Sequence, residues 1–133
     1  MKYHKLFIGL GAFFGMAAVI LGAFGAHFLK AHLPPDDLAN FKTGVNYQFY
    51  HALGLLAIGL IRHRWRTTLI KAAGLLMTVG IVLFSGSLYL LATMDAAGFA
   101  SLAALLGPIT PLGGLCFIIA WALLLIESLR THH

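Results

Sequence analysis

The chain has 133 residues, of which 60% are apolar and 10% charged, with nine lysines and arginines against four acids; its mean hydropathy is +0.91. A soluble domain is about 45–50% apolar and about 25% charged, so these figures exclude a water-soluble globule, and a disordered chain with it. A transmembrane helix takes roughly 20 apolar residues and the chain holds about 80, so the composition predicts an all-α integral membrane four-helix bundle, a single domain over 1–133.

The first uncharged interval lies between Lys5 and Lys30 and predicts a span over 6–29. Lys2, Lys5 and the small residues Ala23 and Ala26 give it the look of a secretion signal. Its apolar run of about 24 residues exceeds the roughly 7–15 of a signal core, so a retained helix is expected. The second span is predicted over 43–62, after Lys42, and the third over 71–94, between Lys71 and Asp95. Pro108 and Pro111 break the last uncharged interval. Proline suits the first turn of a helix, so the fourth span is predicted over 110–128, with Thr110 as N-cap and Pro111 at the first helical position. Residues 98–107 then form an apolar connector able to make a short interfacial helix.

Lysine and arginine are enriched on cytoplasmic flanks. With four spans, Lys2, Lys5, Arg62, Arg64, Arg66, Lys71 and Arg130 share one side, and Lys30 and Lys42 the other, which predicts both termini cytoplasmic. The net charge of +5 is therefore a topology signal, directed at anionic headgroups of the lipid bilayer. Nucleic-acid binding is not expected, since it needs such charges clustered on a soluble face.

In lipid, helices approach where small residues permit it. Gly11, Gly15, Ala18, Gly22 and Ala26 recur at helical spacing and predict the packing face of the first helix, against the chain's own helices or a second copy in a homo-oligomer. The one cysteine, Cys116, falls within the fourth span and reads as a packing or lipid-facing residue. His132 and His133 read as a solvated tail.

Polar groups inside a membrane are expensive and need partners. At 1.5 Å per residue, His51 lies roughly 16 Å and Tyr47 roughly 22 Å from Arg62, with Ser85, Ser87 and Tyr89 roughly 21–27 Å from Lys71. His27 lies about 33 Å from Lys5, level with Thr43 and out of reach of His51. Asn40, Thr43, Tyr47, Tyr50, His51 and Gly54 recur at helical spacing and predict one polar stripe facing the bundle interior. With Asn46, Ser85, Ser87, Tyr89, Thr110 and His27, these residues outline a polar cluster in the outer half of the bundle: a hydrogen-bonded core or a small-ligand site. His51, ionisable and near the midplane, is its best functional candidate.

Enzyme chemistry is not expected. A hydrolase needs a nucleophile, a base and an orienting group, whereas Asp36, Asp37, Asp95 and Glu127 all fall at or beyond the membrane boundary. Phe84-Ser85-Gly86-Ser87 is no nucleophile elbow. Nothing converges as a metal set, so neither metal nor cofactor is expected. Transport by an oligomer, proton- or ion-linked through His51 or His27, is the alternative, although only the break at 107–111 resembles the interrupted helices of transporters.

Four blocks carry a family resemblance: Leu21-Gly-Ala-Phe-Gly-Ala-His27, Tyr47-Gln-Phe-Tyr-His51-Ala-Leu, Phe84-Ser-Gly-Ser-Leu-Tyr89-Leu and Ile109-Thr-Pro-Leu-Gly-Gly114. In this order the chain resembles the YgdD-like family of small bacterial inner-membrane proteins, a domain of unknown function. The resemblance implies a four-helix integral membrane protein with no assigned activity; it names no protein partner, and the partner stays unknown. Its blocks coincide with the polar layer found by depth.

Overall fold

The computed structural model describes residues 2–130, so His132 and His133 lie outside the described residues. Four long helices make up most of it: α1 (Tyr3–His32), α2 (Pro35–Arg64), α3 (Thr68–Ala97) and α4 (Ile109–Ser128). A 3₁₀ turn at Ala100–Leu102 and a short helix at Ala103–Leu106 fill the connector before α4. Among the described residues there is no strand.

Each of the first three helices overruns its uncharged interval, because a charge does not stop a helix. The stops are local. Pro35 opens α2 at a position where a missing N–H costs nothing, and Asp36 and Asp37 come next in the first turn, where the helix dipole favours acids. The Thr67 hydroxyl accepts from the Ile70 N–H at 3.3 Å and caps α3. Gly98, at φ 84°, ends α3 in the left-handed conformation that favours glycine. Helix α4 begins one residue before the expected N-cap, so Thr110 is helical, its hydroxyl free for a cross-helix bond, and Pro111 is still in the first turn.

Two π-helical turns interrupt the long helices, at Gly25–Leu29 in α1 and Ile81–Ser85 in α3. In each, an N–H reaches five residues back, Lys30 to Gly25 and Gly86 to Ile81. The wider turn rotates the C-terminal part of each helix relative to its N-terminal part.

Neighbouring helices run antiparallel, α1 along α2, α2 along α3 and α3 along α4. The tightest approach is between α1 and α2. A Cβ on Gly11 would lie 2.8 Å from the Ala52 carbonyl oxygen, and one on Gly59 would lie 3.0 Å from the His4 carbonyl oxygen. The small-residue face of α1 thus meets the chain's own α2. Its members differ: Gly11 and Ala18 are buried, Gly15 and Gly22 sit in looser contact with Ala52 and Val45, and Ala26 is exposed. The π turn accounts for Ala26, since it turns Gly25 and Leu29 into α2 in its place.

Phe7, Leu55, Ile58, Met77 and Phe117 belong to the main apolar core, with a smaller cluster of Leu29, Leu33, Phe41 and Ala92 beyond it. The exterior is apolar too: Phe13, Met16, Val19, Ile20, Leu60, Ile118 and Leu125 are exposed. Water does not tolerate so continuous an apolar surface on a monomer, and lipid does. Three helical stretches, Tyr3–His32, Thr68–Ala97 and Ala103–Ser128, are long and apolar enough to cross a membrane. Helix α2 matches them in length but carries Asn46, Gln48 and His51 along its middle.

Gly11→Ala is expected to cost about 1–3 kcal/mol, because backbone rather than a flexible side chain blocks the added methyl. Gly15→Ala, whose methyl meets only the Ala52 Cβ at 3.9 Å, is expected to be neutral or slightly stabilising. Reversible unfolding in mixed detergent micelles reads both, and equal effects would disprove the close approach at Gly11.

Candidate functional site: a hydrogen-bonded polar core

Burial divides the expected stripe of α2. The interior face is Phe41, Gly44, Gln48, His51, Ala52, Leu55 and Ile58. Asn40, Thr43 and Asn46 are exposed, as are Tyr47 at 41% and Tyr50 at 55%. The expectation that the whole stripe faces inward is therefore corrected: His51 and Gly54 are inside, and the rest lie at its margin or outside. Tyrosine tolerates this because its ring is apolar and only its hydroxyl needs water or a partner. The Thr43 hydroxyl donates to the Ala39 carbonyl of its own helix at 3.0 Å, and Asn46 and Tyr50 line an open groove of about 240 Å³ against Ala18 and Val19.

Gln48 is the hub. Its Nε2–H donates to the Phe14 carbonyl of α1 at 2.9 Å, and its Oε1 accepts from the Tyr89 hydroxyl of α3 at 2.6 Å. One turn away, the Ser85 hydroxyl donates to the Gly44 carbonyl at 2.6 Å, and Ser85 is fully buried. Ser85 and Tyr89 thus face α2 together, as their i, i+4 spacing implies. Ser87 points to α4: its hydroxyl donates to the Phe84 carbonyl at 2.9 Å, leaving the Thr110 hydroxyl to donate to Ser87 at 2.5 Å.

His51 is held on three sides. Its Nδ1 lies 2.7 Å from the Tyr47 carbonyl, which can only accept, and its Nε2 lies 3.0 Å from the Trp121 indole N–H, which can only donate. These partners fix the neutral ring with the proton on Nδ1. The ring stacks on Phe117, centroids 3.5 Å apart and planes 9° from parallel. Phe117 in turn fills the space that a side chain at position 80 would need, and Gly80 leaves it open.

The cluster therefore joins all four helices through side-chain hydrogen bonds. Gln48 and Trp121 were absent from the expected set. An amide in the middle of a membrane-length helix was the available signal for Gln48, but Asn46 carries the same signal at nearly the same depth and is exposed, so the residue type alone does not separate them. Trp121 gave none, because tryptophan in a span is ordinary. The expectation that His27 belongs to the cluster is corrected: it lies within the α1 π turn, is exposed and takes no part in the hydrogen-bonded core. Glu127, placed at the membrane boundary with the other acids, is 1% exposed, with Oε2 3.5 Å from Arg130 Nη1. Cys116 is a free, half-buried thiol on α4.

A family model described as a protein of unknown function, DUF423, matches residues 21–114. The chain belongs to this family. The match begins at the Leu21 of the first sequence block and ends at the Gly114 of the last, so it encloses the polar core on α2 and α3. The chain is 43% identical over 127 residues to the UPF0382 membrane protein YwdK of Bacillus subtilis, covering 95% of this chain and 98% of that one. It is 47% identical over 128 residues to a UPF0382 membrane protein of Staphylococcus epidermidis, covering 95% and 97%. It is 35% identical over 116 residues to the UPF0382 inner membrane protein YgdD of Escherichia coli, covering 87% and 83%. No solved structure matches. Family, apolar exterior and three membrane-length helices make the chain a membrane protein.

Interhelical hydrogen bonds in membranes are worth about 0.6–1.7 kcal/mol each. Tyr89→Phe is expected to fall in that range and Gln48→Leu to exceed it, because two bonds are lost. In a double-mutant cycle the pair should be non-additive; strict additivity would show that the Tyr89 hydroxyl and Gln48 do not interact.

Proposed function

We propose that the chain crosses the bacterial inner membrane four times with both termini cytoplasmic, and that its polar core is a structural lock in an accessory or interaction protein without catalytic activity. The antiparallel run of α2 between α1 and α3 supports a fourth crossing, since both neighbours are membrane-length helices. The basic excess on the N-terminal, middle-loop and C-terminal side supports the orientation, and the name of the Escherichia coli relative supports the inner membrane.

The single observation that carries the structural reading is the commitment of both His51 ring nitrogens to Tyr47 and Trp121. A relay histidine takes and releases a proton at a nitrogen that can change partner. Here a proton added at Nε2 would face the indole N–H, donor against donor, and Phe117 stacked on the ring resists rotation. Gln48, with both ends of its amide bonded, favours the same reading.

A reporter active only in the cytoplasm, fused after His133, should be active, and an export-dependent reporter inserted within 98–107 should be active as well. The reverse pattern would overturn the orientation. Purified protein in liposomes should pass protons no faster than protein-free vesicles. A flux abolished by His51→Ala would replace the lock with a proton-linked transporter.

A further inference from the structure

The end of the molecule where α1 begins and α2 gives way to α3 holds a second polar feature, separate from the core. Lys2, Tyr3, His4, Arg62 and Arg66 line a cleft of about 170 Å³. At about 30 Å³ per water, this is room for several waters or one tetrahedral oxyanion with its hydration. None of the five lining residues is an acid. The acid carried at the end of α4, Glu127, is engaged with Arg130 and does not line the cleft.

Ordinary membrane-flanking cations are long, mobile and hydrated. Arg62 is not. Its Nη1 donates to the Thr67 carbonyl at 2.6 Å, and its guanidinium lies 5.3 Å from the centroid of the Tyr3 ring. The Lys71 ammonium approaches the same ring at 4.3 Å, so Tyr3 is held by two cations. The His4 and His63 rings meet edge to face at 5.3 Å alongside. One of the five N–H donors of Arg62 is spent on Thr67, which orients the guanidinium, and among the described residues no other acceptor takes the rest. Packing several cations together costs repulsion that an anion in the cleft removes. A fixed guanidinium loses little freedom when it binds one.

We propose that this cleft is a binding site for a phosphate group, with Arg62 as the fixed anchor and Arg66 and Lys2 completing the charge. The group is the headgroup phosphate of an anionic phospholipid or a free phosphate; the two share oxygen geometry and charge. Two arginines suit either, since a guanidinium engages two phosphate oxygens at once. The inference rests neither on the proposed orientation nor on the structural role of His51.

The test uses the full chain in detergent micelles, titrated with phosphatidylglycerol, with phosphatidylcholine and with inorganic phosphate, and read by native mass spectrometry and by thermal stability. Phosphatidylglycerol should bind better than phosphatidylcholine, and Arg66→Gln with Lys2→Gln should weaken it on the order of tenfold or more. Neither residue supports a helix contact in the way Arg62 supports Thr67, so folding should be preserved; circular dichroism checks it. Lys30→Gln with Lys42→Gln, at the opposite end, should leave binding unchanged. Displacement of the lipid by millimolar phosphate identifies a general phosphate site, and lipid retained against phosphate identifies a headgroup site. Equal binding by the Lys2 and Arg66 variant, or an equal loss in the Lys30 and Lys42 variant, would overturn the proposal in favour of unspecific charge attraction.

Discussion

Where the outside of a protein is apolar, a buried amide has only the neighbouring helices to satisfy it. Gln48 has a donor and an acceptor to place, and it places the first on α1 and the second on α3. That pair of bonds sets the rotation of α2 about its axis. Once Gln48 faces inward, Gly44 and His51 lie on the same face, and Asn46 and Tyr50 must face out. The Ser85 bond to Gly44 and the Trp121 bond to His51 then result from the same rotation.

Close approach of backbones makes these short bonds geometrically possible. The Gln48 side chain can reach the Phe14 carbonyl because Gly11 and Gly59 let α1 lie against α2. Gly113 has the corresponding role between α4 and α3, since a Cβ there would meet the Phe84 backbone. A serine two residues from another at ordinary helical spacing cannot share its face, and α3 uses this: Ser85 serves α2 and Ser87 serves α4. The polar groups are thus distributed among interfaces. A ligand cavity would instead need them converging on one space.

Charge and aromatic groups are arranged on a second principle at the basic end. There the polar atoms are not all consumed internally: Arg62 is steadied by Thr67 and Tyr3 with donors to spare. The core pairs its groups with each other, and the basic cleft holds its groups ready for something outside the chain. The middle of α2 and its C-terminal end therefore differ in kind, the first closed by hydrogen bonds and the second open to anions.

Much of this was legible in the sequence. Apolar excess and the positions of a few charges specify membrane residence and the number of long helices, because the cost of burying charge in lipid acts residue by residue and needs no knowledge of neighbours. The same reasoning identifies Ser85, Ser87, Tyr89, His51 and Thr110 as members of a polar layer. It does not identify Gln48 as the hub, or turn Asn46 and Tyr50 outward. Asn46 and Gln48 carry the same amide at nearly the same depth, and only the bonds of Gln48 to Phe14 and Tyr89 show which of the two faces the bundle. The small-residue stripe was readable as far as Gly22; Ala26 left it because a π turn changes the register without any mark in the local composition. Sequence by itself determined the solvent of this protein and the residues that lipid would not accept. Tertiary structure decided which of them meet, since a hydrogen bond depends on the rotation and separation of two helices, and one helix's sequence encodes neither.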